Sequence, residues 1–157
     1  MDQEMKSFIG LSVVLTGFNQ SILAPSVDPV DIKADYLAAF NEKVGSDLVS
    51  SILSTYETLK GEGKTPQEIG EAILSEPDFE MPCRKLIFLW YSGAWPTIIP
   101  ASNGKPASTV STLLSAKSYT TGLAWQVMQS HPMGDSNYRY GYWSETPADL
   151  NDYTGNN

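Results

Sequence analysis

The sequence predicts an all-α fold: a single domain, residues 1–157, of five or six helices with a long late loop and an irregular aromatic C-terminal tail. Apolar residues recur at helical spacing through most of the chain up to Pro132. Capping signals stand where several of these patterns begin, and glycines stand where they end. No periodic pattern follows Pro132, and we expect residues 1–2 and 148–157 to be flexible.

The first helix is predicted from Gln3 to about Leu15, with Gly17 as its stop. Its apolar residues cover nearly the whole circumference, so we expect it at the centre of the fold. The same run could also be read as a signal peptide. Asp2 and Glu4 precede it and no clean cleavage site follows, which favours a helix of the mature chain. No apolar run approaches the roughly 20 residues that a membrane-spanning helix requires.

Two further helices are predicted on either side of Gly45. Asp28-Pro29 supplies an N-cap with proline at the first helical position, and apolar residues at helical spacing follow up to Val44. Ser46 caps the next helix, which ends at Lys60-Gly61. Its regular apolar stripe consists of Leu48, Val49, Ile52, Leu53, Tyr56 and Leu59.

The fourth and fifth helices are framed by prolines. Thr65-Pro66-Gln67-Glu68 has the form of a capping box, which predicts a short helix to about Ser75 that Pro77 ends. The run Lys85 to Tyr91, KLIFLWY, is apolar without alternation and fits a buried strand or a buried helix. Pro82, taken as a first-turn residue, favours a helix, which Gly93 then stops.

Residues 94–109 carry three prolines and the turn signal Asn103-Gly104, which predicts a long loop with a small hairpin as one alternative. The last helical pattern lies within Thr112 to Ser130 and is terminated by His131-Pro132. Short strands around residues 95–113 would make the fold α+β instead of all-α.

Charge and composition exclude several classes of partner. The net charge is −8 and the ten basic residues are scattered, which argues against nucleic acid and against an anionic membrane surface. One cysteine and one histidine exclude a disulfide framework and the usual zinc sites. We expect Cys83 to be a small buried residue and His131 to lie at a helix C-terminus.

No set of residues with the spacing of a catalytic site is found. Gly-x-Ser-x-Gly is absent, and Gly61-Glu62-Gly63-Lys64 lacks the strand and spacing of a phosphate loop. Asp28, Asp47 and Glu68 are explained as helix caps or first-turn acids. We therefore expect no catalytic, cofactor-binding or metal-binding residue in this chain.

Aromatic residues are the unusual feature of the sequence. They cluster at the end of the fifth helix, in the following loop, on the last helix and in the tail, which is the composition of protein interfaces. An alternative that fits the sequence equally well is that the tail packs on the domain's own core. The candidate partner-binding residues are Trp90, Tyr91, Trp95, Trp125, Tyr138, Tyr140, Tyr142 and Trp143.

Three segments resemble the small subunit of membrane-associated flavin-dependent sugar and polyol dehydrogenases. FIGLSVVLTGF, Phe8 to Phe18, is similar to the opening helix of that family. LIFLWYSGAW, Leu86 to Trp95, is similar to its helix ending in Leu-Trp-Tyr-x-Gly. SYTTGLAWQVM and YGYWSETP, from Ser118 and Tyr140, resemble its Tyr-x-x-Ala-Leu-x-Trp helix and its Gly-x-Trp-Ser-x-x-Pro close.

The resemblance implies a non-catalytic accessory subunit. In that family the small helical subunit binds a large glucose-methanol-choline type flavoprotein, which holds FAD and oxidises the sugar or polyol. The small subunit assists folding and export of the flavoprotein, a multi-haem cytochrome c subunit often completes the complex, and electrons pass to quinone. The resemblance implies that the aromatic tail and the loop from Trp95 to Thr109 contact the large subunit.

The chain departs from the family pattern at three places. Gly122 stands where alanine is usual. No arginine pair of an export signal precedes Arg84, so a periplasmic location with the signal absent from this chain and a cytoplasmic location both stay open. Residues 130–142 lack the cysteine that some members use to link to the large subunit, which implies non-covalent association.

Two other hypotheses compete with the accessory subunit. The first is a stand-alone helical binding module that uses the same aromatic surface for another protein or a small apolar ligand. The second is an enzyme in its own right, which would require Cys83 or His131 to be catalytic.

Overall fold

A computed structural model of the chain describes residues 2–102, 104–132, 146, 151 and 154. The described part is mainly helical, with one small two-stranded antiparallel sheet. Nowhere in it is a helix both long and apolar enough to cross a membrane. The elements in order are α1 Gln3–Thr16, α2 Gln20–Leu23, α3 Ile32–Val44, α4 Ser46–Gly61, α5 Pro66–Ser75, α6 Pro77–Ser92, β1 Ala94–Ile99, β2 Ser108–Leu113, α7 Ala116–Thr120 and α8 Leu123–Val127.

Helix α1 is the central helix, as predicted from its apolar circumference. It contacts α3, α4, α5 and α6, and Phe8, Ile9 and Leu11 are each at most 1% exposed. The Asp2 carboxylate accepts a hydrogen bond from the Met5 N–H at 2.8 Å. Asp2, which we expected to be flexible, therefore caps this helix. Gly17, with φ of +76°, ends it.

Helix α3 begins later than predicted. Its N-cap is Asp31, with φ of +52°, rather than Asp28. The Asp28 carboxylate instead accepts a hydrogen bond from the Asp31 N–H and binds the Lys33 ammonium, which also pairs with Asp31. The hydrogen bonds to these two carboxylates raise the pKa of Lys33. Asp28 therefore has the chemistry of a cap but stabilises a turn before the helix.

Helix α5 confirms its prediction, α4 confirms its span but not its cap, and α6 corrects the position of a proline. The N-cap of α4 is Gly45, without a side-chain cap bond, and Ser46 is the first residue of the helix rather than its cap. Thr65 and Glu68 form the reciprocal capping box, with the Thr65 N–H donating to Glu68 at 2.8 Å. Pro77 is the first residue of α6 as well as the end of α5, so Pro82 lies inside α6 rather than in its first turn. Proline removes only one backbone bond at that position, and the buried residues on the helix face toward the core hold the helix in place.

The segment predicted as a loop forms a hairpin. β1 and β2 pair antiparallel from Ala94–Leu113 to Ile99–Ser108. Ser102 and Lys105 exchange two further backbone bonds, and Gly104 takes φ of +76° in the turn, as the Asn-Gly signal allows. The hairpin alternative is therefore confirmed, and the fold is mainly α with a minor sheet.

The last helical pattern is interrupted. Ser115 caps α7 through the Ser118 N–H, and α8 begins after Gly122. A methyl group on Gly122 would lie 2.8 Å from the Tyr91 carbonyl oxygen, so this position is in close contact with the end of α6. That contact is a physical reason for glycine where the resembling family usually has alanine. The short helix α2 was not predicted.

Gly93 is a sensitive position. Its φ is +70°, and a Cβ there would overlap the Ser118 carbonyl. We expect Gly93→Ala to lower the free energy of unfolding by about 3 kcal/mol or more, because backbone strain and overlap with a backbone group add. Gly61→Ala is the control, since nothing lies within 4 Å of that position. It should be neutral or slightly stabilising in urea unfolding. Equal losses for both variants would contradict this assignment.

Candidate docking surface

Trp90 lies in the core rather than at the surface. Its indole N–H donates to the Ser12 hydroxyl at 2.9 Å, and its ring stacks on Phe8 and meets the edge of Tyr36. The residue is 2% exposed. The ring therefore contributes to packing within the chain and offers no exposed face to a partner.

Tyr91 is half-buried beside the end of α1. Its hydroxyl donates to the Thr16 carbonyl at 3.0 Å, and its ring meets Phe18 edge to face. Burial raises the pKa of Tyr91. Ser12 and Thr16, the polar residues in the apolar run of α1, thus lie in the contact between α1 and the end of α6.

The chain turns at Gly93, where the third segment joins the other two. The Ser118 hydroxyl donates to the Gly93 carbonyl at 2.7 Å, and the Tyr36 hydroxyl donates to the Ser118 carbonyl at 3.4 Å. Burial raises the pKa of Tyr36 to about 12. We name the set Ser12, Thr16, Trp90, Tyr91, Gly93 and Ser118 the α1–α6–α7 junction.

Trp95 leaves this junction on β1 and forms part of a cleft. It is 7% exposed, its ring lies 6.4 Å from the ring of Phe40, and the Lys85 ammonium lies 6.0 Å from it. The cleft has a volume of about 670 Å³ and separates α3 from the base of the hairpin. Its charged side chains are Asp35, Glu42 and Lys43, and its hairpin side chains include Trp95, Thr97 and Thr112.

The chemistry of this cleft suits a positively charged or hydroxyl-rich group. Lys43 pairs with Glu42 at 2.7 Å, and Asp35 and Glu42 are both exposed carboxylates on that side. A carboxylate beside an aromatic ring binds ammonium or guanidinium groups.

Trp125 is partly buried on α8. Its indole N–H donates to the Tyr119 carbonyl at 2.7 Å, and the two rings meet edge to face at 5.3 Å. Val127 and Met128, which follow it, are 44% and 59% exposed. Trp125 therefore lies beside exposed apolar residues.

The aromatic tail lies outside the described residues, and this includes Tyr138, Tyr140, Tyr142 and Trp143. Near the C-terminus, Thr154 forms an antiparallel bridge with Phe18 and accepts a hydrogen bond from the Asn19 side chain at 3.1 Å. Thr154 belongs to the end expected to be flexible, and it contacts the chain just beyond α1. Whether the aromatic tail packs on this domain or on a partner stays a prediction.

The hairpin exposes the apolar residues that sequence reasoning missed. Ile98, Ile99, Val110 and Leu113 are between 44% and 51% exposed, and we name them the hairpin surface. By the register, Ile98 and Leu113 lie on one face of the hairpin and Ile99 and Val110 on the other. Lys105 is the one charged residue in the sequence from 94 to 113. An apolar surface depleted of charge is typical of a protein interface. The signal available in the sequence was Asn-Gly between two runs rich in Ile, Val and Thr.

Cys83 and His131, the residues of the enzymatic hypothesis, lie apart from the cleft. Cys83 is fully buried, as predicted, and burial raises the pKa of its thiol to about 12. His131 lies beyond the end of α8 at Val127 rather than at a helix C-terminus, with Nδ1 2.8 Å from the Pro132 carbonyl oxygen. Among the described residues no group of three or more His, Cys, Asp or Glu side chains could hold a metal ion.

The chain matches no protein-family model, no curated protein and no solved structure. Its function is therefore inferred from its own residues and from the sequence resemblance.

The burial of Cys83 predicts an inert thiol. We expect a chromogenic aromatic disulfide to react with native Cys83 at least about 100-fold more slowly than in denaturant, because the sulfur is buried and protonated. Ser50→Cys, on the exposed face of α4, is the control and should add a thiol that reacts fast in the folded protein. Fast labelling of native Cys83 would contradict the prediction of an inert thiol and would support the enzymatic hypothesis.

Proposed function

We propose that this chain is a non-catalytic accessory subunit that binds and stabilises a large FAD-containing sugar or polyol dehydrogenase subunit. The observation that carries the proposal is that the segments resembling that family, distant in sequence, contact one another in the α1–α6–α7 junction. FAD and the substrate pocket then belong to the partner. A multi-haem cytochrome c subunit as a third component and a periplasmic location with assisted export belong to the same proposal.

The junction supports the resemblance because its contacts join the residues that define the three segments. The Leu-Ser part of the first segment supplies Ser12 to Trp90, and its Leu-Thr-Gly part supplies Thr16 to Tyr91. Ser118, at the start of the third segment, bonds Gly93 of the second.

The hairpin surface supports the docking role. It begins directly after the junction, so its base is held by buried contacts: Ala94 and Trp95 are 5% and 7% exposed. Its outer half is exposed, is uncharged in both strands and carries Ile98, Ile99 and Val110. A rigid base lowers the entropy that is lost when the outer half binds a partner. Ile98 and Ile99 of this surface lie in the loop from Trp95 to Thr109, for which the resemblance implies contact with the large subunit.

A stand-alone binding module is the second candidate, and the cleft favours it. Asp35 and Glu42 lie on one side of the cleft and Trp95 on the other. This arrangement suits a lysine or arginine side chain of an extended peptide. The module would then recognise a basic segment and would not require a flavoprotein.

The proposal is tested by capture of the flavoprotein. The chain is tagged and co-expressed with a large glucose-methanol-choline type flavoprotein subunit, and the flavin absorbance of the eluate is recorded. We expect flavin in near-stoichiometric amount with the parent chain. The double variant Ile98→Asp, Ile99→Asp should retain at least tenfold less, because two charges would be placed in an apolar contact.

Val27→Asp is the matched control for the double variant. Val27 is 83% exposed and lies between α2 and α3, away from the hairpin, so the same chemical change there should leave capture unchanged. A colourless eluate from the parent chain would contradict the accessory-subunit proposal. Equal flavin with parent and double variant would remove the hairpin surface from it.

Trp143 tests the tail. If its ring is buried in the complex, Trp143→Ala should weaken binding of the large subunit by about 2 kcal/mol or more. Unchanged affinity together with a lower melting temperature of the isolated chain would show that the tail packs on the core of this domain. The measurement is a titration of the large subunit with each chain.

A further inference from the structure

Each strand of the hairpin has an outer edge that does not pair with the other strand. The alternation of hydrogen-bonded and non-bonded pairs shows which backbone groups point outward at each edge. The Leu114 N–H donates to the Gly93 carbonyl at 3.2 Å, next to the pair Ala94–Leu113. Bonded and non-bonded pairs alternate in an antiparallel ladder, so the pair Pro96–Ser111 is non-bonded. The backbone N–H and C=O of Ser111 therefore point away from β1, as do those of Thr109 and Leu113.

The β1 edge is closed to further pairing and the β2 edge is open. The same alternation gives β1 three outward positions, Ala94, Pro96 and Ile98. The Ala94 N–H already donates to the Ser92 hydroxyl, and the central position, Pro96, has no N–H to donate. β2 contains neither proline nor a charged residue, and all six of its residues are exposed. Within the described part of the chain, only β1 pairs with it. Native edge strands usually carry one of these blocking features, and β2 has neither.

Charge indicates which molecule can occupy the open edge. At a net charge of −8, most of the surface of one copy repels a second copy. Lys105, at the turn, is the single charge from residue 94 to 113, so the hairpin is where two copies can approach without facing like charges. A basic partner would instead gain most at acidic positions such as Asp35 and Glu42.

We infer that the outer edge of β2 is a self-association site at which two copies pair their β2 strands antiparallel about a two-fold axis through Ser111. This register places Ser111 opposite Ser111 and Thr109 opposite Leu113 of the second copy. It uses every outward backbone group of the strand, giving about six hydrogen bonds between copies. The result is a four-stranded sheet with a closed β1 edge at each end.

Side chains favour the same register. Val110 lies beside Thr112 of the second copy on one face, and Leu113 lies beside Thr109 on the other. Val110 and Leu113 are 50% and 51% exposed in the single chain, so pairing covers apolar surface on both faces. A hairpin of two strands is marginal on its own, and four strands stabilise it. The interface is small, which predicts a weak, concentration-dependent dimer.

Opposite charges at the axis provide the test. Ser111→Lys and Ser111→Glu are purified separately, and sedimentation velocity is measured from about 5 to 500 µM, the range suited to a small interface. We expect the parent chain to dimerise as concentration rises. Each variant should be monomeric, because it places like charges directly across the axis. An equimolar mixture of the two variants should dimerise again.

Thr97→Lys and Thr97→Glu are the matched controls. Thr97 is exposed in the same hairpin but lies on β1, away from the proposed two-fold axis, so both variants should dimerise as the parent does. Dimers that persist in both Ser111 variants would overturn the inference in favour of another surface. A parent chain that is monomeric over the whole range would overturn it too, and would indicate that the edge is covered within one copy.

A disulfide gives a second reading. Across the axis the Cα atoms of a bonded pair lie about 5.5 Å apart, which is within the range that a disulfide bridges. Ser111→Cys should therefore form a covalent dimer under mild oxidation far faster than Thr97→Cys. Equal rates for the two variants would contradict the two-fold axis. These measurements use the chain alone, so they test self-association independently of flavoprotein binding.

Discussion

The hydrogen bond from the Trp90 indole to the Ser12 hydroxyl is the interaction on which the arrangement of this chain depends. An indole N–H buried without an acceptor destabilises a core, and Ser12 is also fully buried, so the contact between α1 and α6 satisfies both groups at once. The ring stacks on Phe8 and meets the edge of Tyr36, which ties α3 to the same place. Because α6 is held in this orientation, Gly93 can turn the chain against Ser118.

The junction has a consequence for function. It fixes the base of a hairpin whose outer half is apolar, exposed and nearly free of charge. A small accessory subunit needs a stable core of its own together with a surface already shaped for a partner. In this chain the aromatic residues near α6 build the stable core. We propose that the hairpin surface is the surface that binds the partner. The open β2 edge adds a contact that does not require the Ile98 side of the hairpin.

Periodicity and end signals were sufficient to predict α1 and α5, and the apolar stripe was sufficient for the span of α4, although its N-cap is Gly45 rather than the predicted Ser46. They failed where one residue fits two local structures. Asp28 can cap a helix or a turn, and its bonds to the Asp31 N–H and to Lys33 show that it caps the turn. The hairpin was only an alternative because β1 is buried in its first half and exposed in its second, which removes alternation. Trp90 was assigned to a partner by residue type, and burial depends on contacts with α1 and α3 that no local pattern reveals.

The central claim is that the chain keeps its own core and docks through the hairpin. Amide hydrogen exchange of the Ser111→Lys variant, alone and bound to the large flavoprotein subunit, tests it most directly, since this variant removes self-association from the comparison. The account predicts exchange at least tenfold slower across residues 97–110 in the complex, with α1 and α6 unchanged because they are already protected. Unchanged exchange in the hairpin, with new protection confined to α1 or α6, would contradict it.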